Sequence, residues 1–128
     1  MIKFFDMKLA NKKVNINKII SNVISSYEFS LGKYVEDFEK NFAKYLGVKY
    51  CVGVGNCFDA IKLSFVAYKI LGEIKNDDEV LVPANTYIAS ILAVTAANLK
   101  PVFVESDMNT FNISPSNILK AISRFIIL

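Results

Sequence analysis

Three short segments hold the residues whose types and spacing suit chemistry. The first, Val52-Gly53-Val54-Gly55-Asn56-Cys57-Phe58-Asp59-Ala60, reads as a strand, a glycine turn and the start of a helix. A helix start presents unpaired backbone N–H groups and the positive end of the helix dipole, which together hold phosphate. A dinucleotide fingerprint needs a third glycine where Phe58 stands, and a P-loop needs Gly-Lys-Ser/Thr where Cys57-Phe58-Asp59 stands. Gly53 and Gly55 also suit a plain turn at a strand end, the commoner use of such a pair.

The second segment, Val82-Pro83-Ala84-Asn85-Thr86-Tyr87-Ile88-Ala89-Ser90, joins a strand end to a helix. Ligands of open α/β sheets sit outside the carboxyl ends of the strands, so Tyr87 is placed to lay its ring on a planar group. By spacing alone, core packing with a locally satisfied hydroxyl is the plainer reading. The third segment, Pro101-Val102-Phe103-Val104-Glu105-Ser106-Asp107, ends a strand in two carboxylates. With no third ligand in view they read as caps, and no metal site is expected.

Composition removes several chemistries. The chain has no histidine, which excludes Ser-His-Asp triads, histidine general bases and His–carboxylate metal sites. Cys51 and Cys57 are too few for a disulfide framework and wrongly spaced for a zinc knuckle, so reduced thiols in a cytoplasmic protein are expected. Net charge is +3 with no run of five like charges, so neither a nucleic-acid arm nor a membrane patch is indicated. Lys3, Asp6 and Lys8 interrupt any signal-peptide core, and Pro83, Asn85, Thr86, Thr95 and Asn98 break the oily Val80–Leu99 stretch, so a soluble protein is expected. The 128 residues suit a single domain. Their hydrophobic content, 53% with a mean hydropathy of +0.35, exceeds what such a domain needs, so partner surfaces and self-association are expected.

These segments need scaffolding, and the apolar spacing supplies it. Ile16, Ile19, Ile20, Val23 and Ile24 predict one helix, capped by Asn15 or Asn17; Val35, Phe38, Phe42, Tyr45 and Leu46 predict a second, stopped by Gly47. Tyr50–Gly55 reads as a buried strand, Asn56 as the cap of a third helix ending at Gly72, and Val80–Val82 as a strand closed by Pro83. A small-residue helix over 86–98, a strand over 100–105 and a helix opened by Ser114-Pro115 follow, with a strand-like Arg124–Leu128 at the end. Strands alternating with helices give an α/β/α sandwich with a mostly parallel sheet.

The order of these pieces resembles the DegT/DnrJ/EryC1/StrS family of pyridoxal-phosphate-dependent nucleotide-sugar aminotransferases. The carrying residues are Gly32–Glu39, Phe42–Tyr50, Gly53–Ala60, Asp78-Glu79-Val80, Pro83–Ser90 and Lys100–Asp107. Gly55-Asn56, Asp59-Ala60 and the full Pro83–Ser90 stretch are most similar to enzymes that aminate a 3-keto-6-deoxyhexose on dTDP. The resemblance implies the N-terminal part of the large domain of a fold type I aminotransferase over residues 1–128. It implies pyridoxal phosphate as cofactor, a nucleotide sugar and an amino acid such as glutamate as substrates, a homodimer, and a place in surface-polysaccharide or lipopolysaccharide sugar synthesis. Asn56, Cys57 and Phe58 then give backbone N–H groups to the cofactor phosphate, Tyr87 stacks on its ring, and Ser30, Gly32 and Tyr34 lie near the sugar-nucleotide entrance.

Two departures matter. The family usually has glycine where Cys57 stands, often followed by threonine or leucine where Phe58 stands, so side-chain crowding of the phosphate is expected. The Schiff-base lysine and the acid that pairs the pyridinium nitrogen lie further along family members, and no residue here falls on either position. No catalytic residue is therefore assigned, and a shortened, inactive chain is expected. The alternatives are a non-catalytic module that binds a phosphate ligand or a partner chain, and a small Rossmann-type nucleotide binder, which Phe58 argues against.

Overall fold

The computed structural model describes residues 4–125, which separate into two compact units between Gly53 and Val54. The first unit holds helices α1 (Met7–Ala10), α2 (Ile16–Ser26) and α3 (Lys33–Leu46). Asn15 caps α2 as expected, its side-chain oxygen accepting the Lys18 N–H at 3.1 Å. The predicted apolar stripe is present, yet Ile16, Ile19, Ile20 and Ile24 are 42–56% exposed and α2 has no buried residue. Gly47 ends α3 in the left-handed region at φ 69°, with the Val48 N–H returning to the Ala43 carbonyl at 3.0 Å.

Gly32 precedes α3 in ordinary backbone, φ −88°, so its need is for space. A Cβ there would lie 2.7 Å from Glu28 Cβ and 2.9 Å from Glu28 Oε2, the oxygen that accepts the Lys33 N–H at 3.1 Å. Gly32→Ala therefore pushes Glu28 off the helix start, at a cost of about 1–3 kcal/mol. Faster hydrogen exchange at the Lys33 amide is the expected result; unchanged protection would show that the turn absorbs the methyl group.

The second unit is built from α4 (Cys57–Ile70), β1 (Glu79–Pro83), α5 (Ile88–Ala96), β2 (Lys100–Val104) and α6 (Pro115–Phe125). β1 and β2 pair in parallel with Glu79 opposite Lys100 and Pro83 opposite Val104, and α5 crosses between them. Parallel pairing leaves both strands with apolar residues, here Val80, Leu81, Val82, Val102 and Val104. The core is Val82, Val94, Ala97 and Leu99, with Phe65, Ile74, Val80 and Ile91 packed against it. Asn98, at φ 54°, turns the chain out of α5 so that the Leu99 N–H bonds the Val94 carbonyl at 3.1 Å, which brings both side chains into that core. Lys69 Nζ, near the end of α4, donates to Asn76 Oδ1 at 2.6 Å and to the Ala97 carbonyl.

Three expectations are corrected. Tyr50–Gly55 is not a strand: Tyr50 and Val52 are 74% and 76% exposed, and no strand among the described residues pairs with the segment. Its apolar alternation supplies β-propensity, but a strand exists only with a ladder partner; the Gly53 N–H instead donates to the Glu39 Oε1 side chain at 2.6 Å within the first unit. Arg124 and Phe125 continue α6 instead of opening a strand, while Ile126–Leu128 lie outside the described residues. The helix expected from Thr86 begins at Ile88, because the Pro83–Thr86 turn precedes it and Tyr87 is its extended N-terminal cap.

Candidate functional site

The first turn of α4 is the candidate anion site. Asn56 is extended, φ −166° and ψ 175°, so its side chain folds over the helix start. Its Oδ1 accepts the Asp59 N–H at 2.9 Å, its Nδ2 donates to Asp59 Oδ2 at 2.9 Å, and its carbonyl accepts the Ala60 N–H at 3.1 Å. That leaves the N–H groups of Cys57 and Phe58 without an acceptor among the described residues. Asn56 and Cys57 are exposed and Phe58 is half-buried. Two free donors at the positive end of a 14-residue helix can hold one anionic group. The Asp59 carboxylate opposes a second anion there, and its bond to Asn56 Nδ2 offsets part of that charge.

Tyr87 sits where β1 hands over to α5. Its backbone, φ −66° and ψ 140°, is the N-terminal boundary of α5, and its ring is 79% exposed. An exposed ring at the carboxyl end of a parallel strand can cover one face of a planar ligand. Asn56, Cys57, Phe58 and Tyr87 all belong to the second unit, whose α4 and α5 pack on each other. Ser30, Gly32 and Tyr34 belong to the first: Ser30 and Tyr34 are exposed and Gly32 caps α3.

Beyond the ends of β1 and β2, the 105–113 loop walls a cleft of 280 Å³ lined by Ala84, Asn85, Ser106, Asp107 and Phe111 among others. Asp107 serves as the turn cap that the sequence indicated: its Oδ1 accepts the N–H groups of Asn109 and Thr110, each at 2.9 Å. These donors favour the charged form and hold its carboxyl below the ordinary carboxylate value. A depressed folded value means the contribution is complete above the unfolded pKa, about 3.9, and is lost as pH falls through the lower folded one. The Asn109 and Thr110 amide shifts should therefore stay constant at neutral pH and titrate with a midpoint below about 3.9. A midpoint at or above it would contradict the capping role, and Asp107→Asn should abolish the titration. Asn85 and Ser106 were not singled out by sequence reasoning; they bond each other across the cleft, 21 residues apart, a pairing with no local signal.

No helix among the described residues is long and apolar enough to cross a membrane. The sequence matches the DegT/DnrJ/EryC1/StrS aminotransferase family over residues 10–126. It is 47% identical over 126 residues to the dTDP-3-amino-3,6-dideoxy-alpha-D-galactopyranose transaminase of Aneurinibacillus thermoaerophilus, a match covering 96% of this chain and 33% of that protein. The structure superposes on S. venezuelae DesV with a TM-score of 0.80 and 38% identity, over 94% of this chain and 32% of that one. It also superposes on the E. coli GDP-4-keto-6-deoxy-D-mannose-3-dehydratase with bound hydrated PLP, with a TM-score of 0.76 and 30% identity, over 94% and 30% of the two chains. This chain spans about a third of the length of the curated relatives it matches. The expected fold is confirmed as the N-terminal part of a fold type I aminotransferase, and pyridoxal phosphate is the cofactor the relationship implies. Helix caps, parallel strands and the motifs at 53–60 and 83–90 converge with these likenesses: the chain belongs to the DegT/DnrJ/EryC1/StrS aminotransferase family.

Proposed function

We propose that these residues form the phosphate-holding and ring-contacting part of an enzyme that moves an amino group from an amino acid, glutamate first among candidates, to a keto-6-deoxyhexose on dTDP. The observation that carries this reading is the 47% identity, across nearly the whole chain, to a dTDP-amino-sugar transaminase. Pyridoxal phosphate, when bound, supplies the electron sink that lets an amino group be carried between carbons. The chain's residues fit its phosphate end: Asn56 uses its own side chain to satisfy Asp59 and leaves the Cys57 and Phe58 N–H groups for the anion. Tyr87 offers an exposed ring face. Ser30, Gly32 and Tyr34 are assigned to the sugar-nucleotide side. The exposed apolar residues of α2 support a homodimer, and the free thiols of Cys51 and Cys57 fit a reducing cytoplasm.

The reading is tested by grafting residues 1–126 in place of the matching third of the Aneurinibacillus transaminase. Amination of the dTDP-linked keto-sugar within about tenfold of the parent is expected, a loss of no more than ~1.4 kcal/mol in the barrier. A folded, cofactor-loaded chimera that forms no amino sugar would overturn it. The 128-residue chain by itself, with no residue on the Schiff-base position, should give no product.

A further inference from the structure

We infer that Asn85 is the positioning residue for Tyr87, an assignment that rests on the reading of Tyr87 as the ring contact. The loop after β2 is a closed body: an antiparallel bridge joins Ser106 to Ile113, the Asp107 N–H bonds the Asn112 carbonyl at 2.9 Å, and the Phe111 N–H bonds the Asp107 carbonyl at 2.8 Å. Asn85 grips this body at two points. Its Oδ1 accepts from Ser106 Oγ at 2.6 Å and its Nδ2 donates to the Phe111 carbonyl at 2.9 Å.

The residues around it are pinned in turn. The Ala84 N–H bonds the Val104 carbonyl at 2.9 Å, continuing the sheet register past Pro83. The Thr86 N–H returns to the Pro83 carbonyl at 3.1 Å, and its hydroxyl reaches Ser90 Oγ at 3.2 Å. Tyr87 then accepts the Ser90 N–H at 3.0 Å on its carbonyl and starts α5. Every residue leading to Tyr87 is therefore fixed, while its ring remains 79% exposed. Among these fixings only the Asn85 side chain reaches the 106–113 loop. A preorganised aromatic face binds better than one that must be ordered on binding, and Asn85 supplies that order through two bonds of high sequence separation.

The test uses the whole chain with Asn85→Ala, Ser106→Ala, Ser106→Thr and Tyr87→Ala. Amide exchange at Thr86 and Ser90 should quicken about tenfold in Asn85→Ala and Ser106→Ala and return in Ser106→Thr, which keeps the hydroxyl. Equilibrium dialysis should show pyridoxal phosphate binding weakened about three- to tenfold in Asn85→Ala, as in Tyr87→Ala, with inorganic phosphate binding unchanged within about twofold. Equal loss of both ligands would reduce Asn85 to a structural tie, and unchanged Thr86 and Ser90 exchange would overturn the assignment outright. If the unaltered chain binds no pyridoxal phosphate, the cofactor reading of this chain fails and the exchange result alone decides whether Asn85 fixes the turn at Tyr87.

Discussion

Val94→Asp should abolish cooperative folding of the second unit. Val94 is 2% exposed on α5, and its buried companions in the cluster are Val82, Ala97 and Leu99. Removing a buried valine forfeits about 1.5 kcal/mol of burial, and an unpaired carboxylate in its place adds several kcal/mol more. A unit this small holds roughly 5 kcal/mol or less, so the sum exceeds what it has. Helical circular dichroism should fall and the urea transition of the unit should vanish. Leu92→Asp is the control: on the same helix but 49% exposed, it should shift the midpoint only slightly. A Val94→Asp variant that melts like the parent would show that this cluster is not what holds β1, α5 and β2 together.

The same contrast separates what the sequence made legible from what it did not. Helix ends were legible because their causes are local. Asn15 and Asn56 cap with oxygens three residues from the N–H groups they serve, and Gly47 and Gly72 sit in the left-handed region at helix ends. Tyr50–Gly55 failed because a strand is a property of two segments, and alternation at Tyr50, Val52 and Val54 records only one of them. The end of α6 differs from its strand-like reading because Ile118, Ala121, Ile122 and Phe125 recur at helical spacing, a period that the apolar stretch Phe125–Leu128 obscures in the sequence. In the candidate site, the helix start at Cys57 follows from chain order, whereas spacing alone favours core packing for Tyr87, whose ring is instead 79% exposed. The Asn85–Ser106–Phe111 tie does not follow from chain order, since its partners lie 21 and 26 residues away and meet only once β1 and β2 pair.

Cys57→Glu should make the protein more stable and its phosphate binding much weaker. Cys57 is the first residue of α4 and is exposed, so a glutamate is accommodated without repacking. A carboxylate in the first helical turn meets the positive dipole end and stabilises by about 0.3–1 kcal/mol. That same charge stands beside the Cys57 and Phe58 N–H groups, where it competes for the donors and repels an incoming dianion. Two unit charges about 4 Å apart near a protein surface interact by up to ~4 kcal/mol before salt screening, so a loss of ten- to a hundredfold in inorganic phosphate and pyridoxal phosphate affinity is expected. The two effects have opposite signs, which no general lesion to the fold produces: a damaged helix would lose stability and binding together. Cys57→Gly supplies the reverse contrast, freeing space over the same donors while costing the helix about 0.5–1 kcal/mol. Calorimetric melting beside phosphate titration of the three proteins decides the matter. Unchanged phosphate affinity in Cys57→Glu would remove the first turn of α4 from the site and leave Tyr87 without the anchor that gives its ring a cofactor to face.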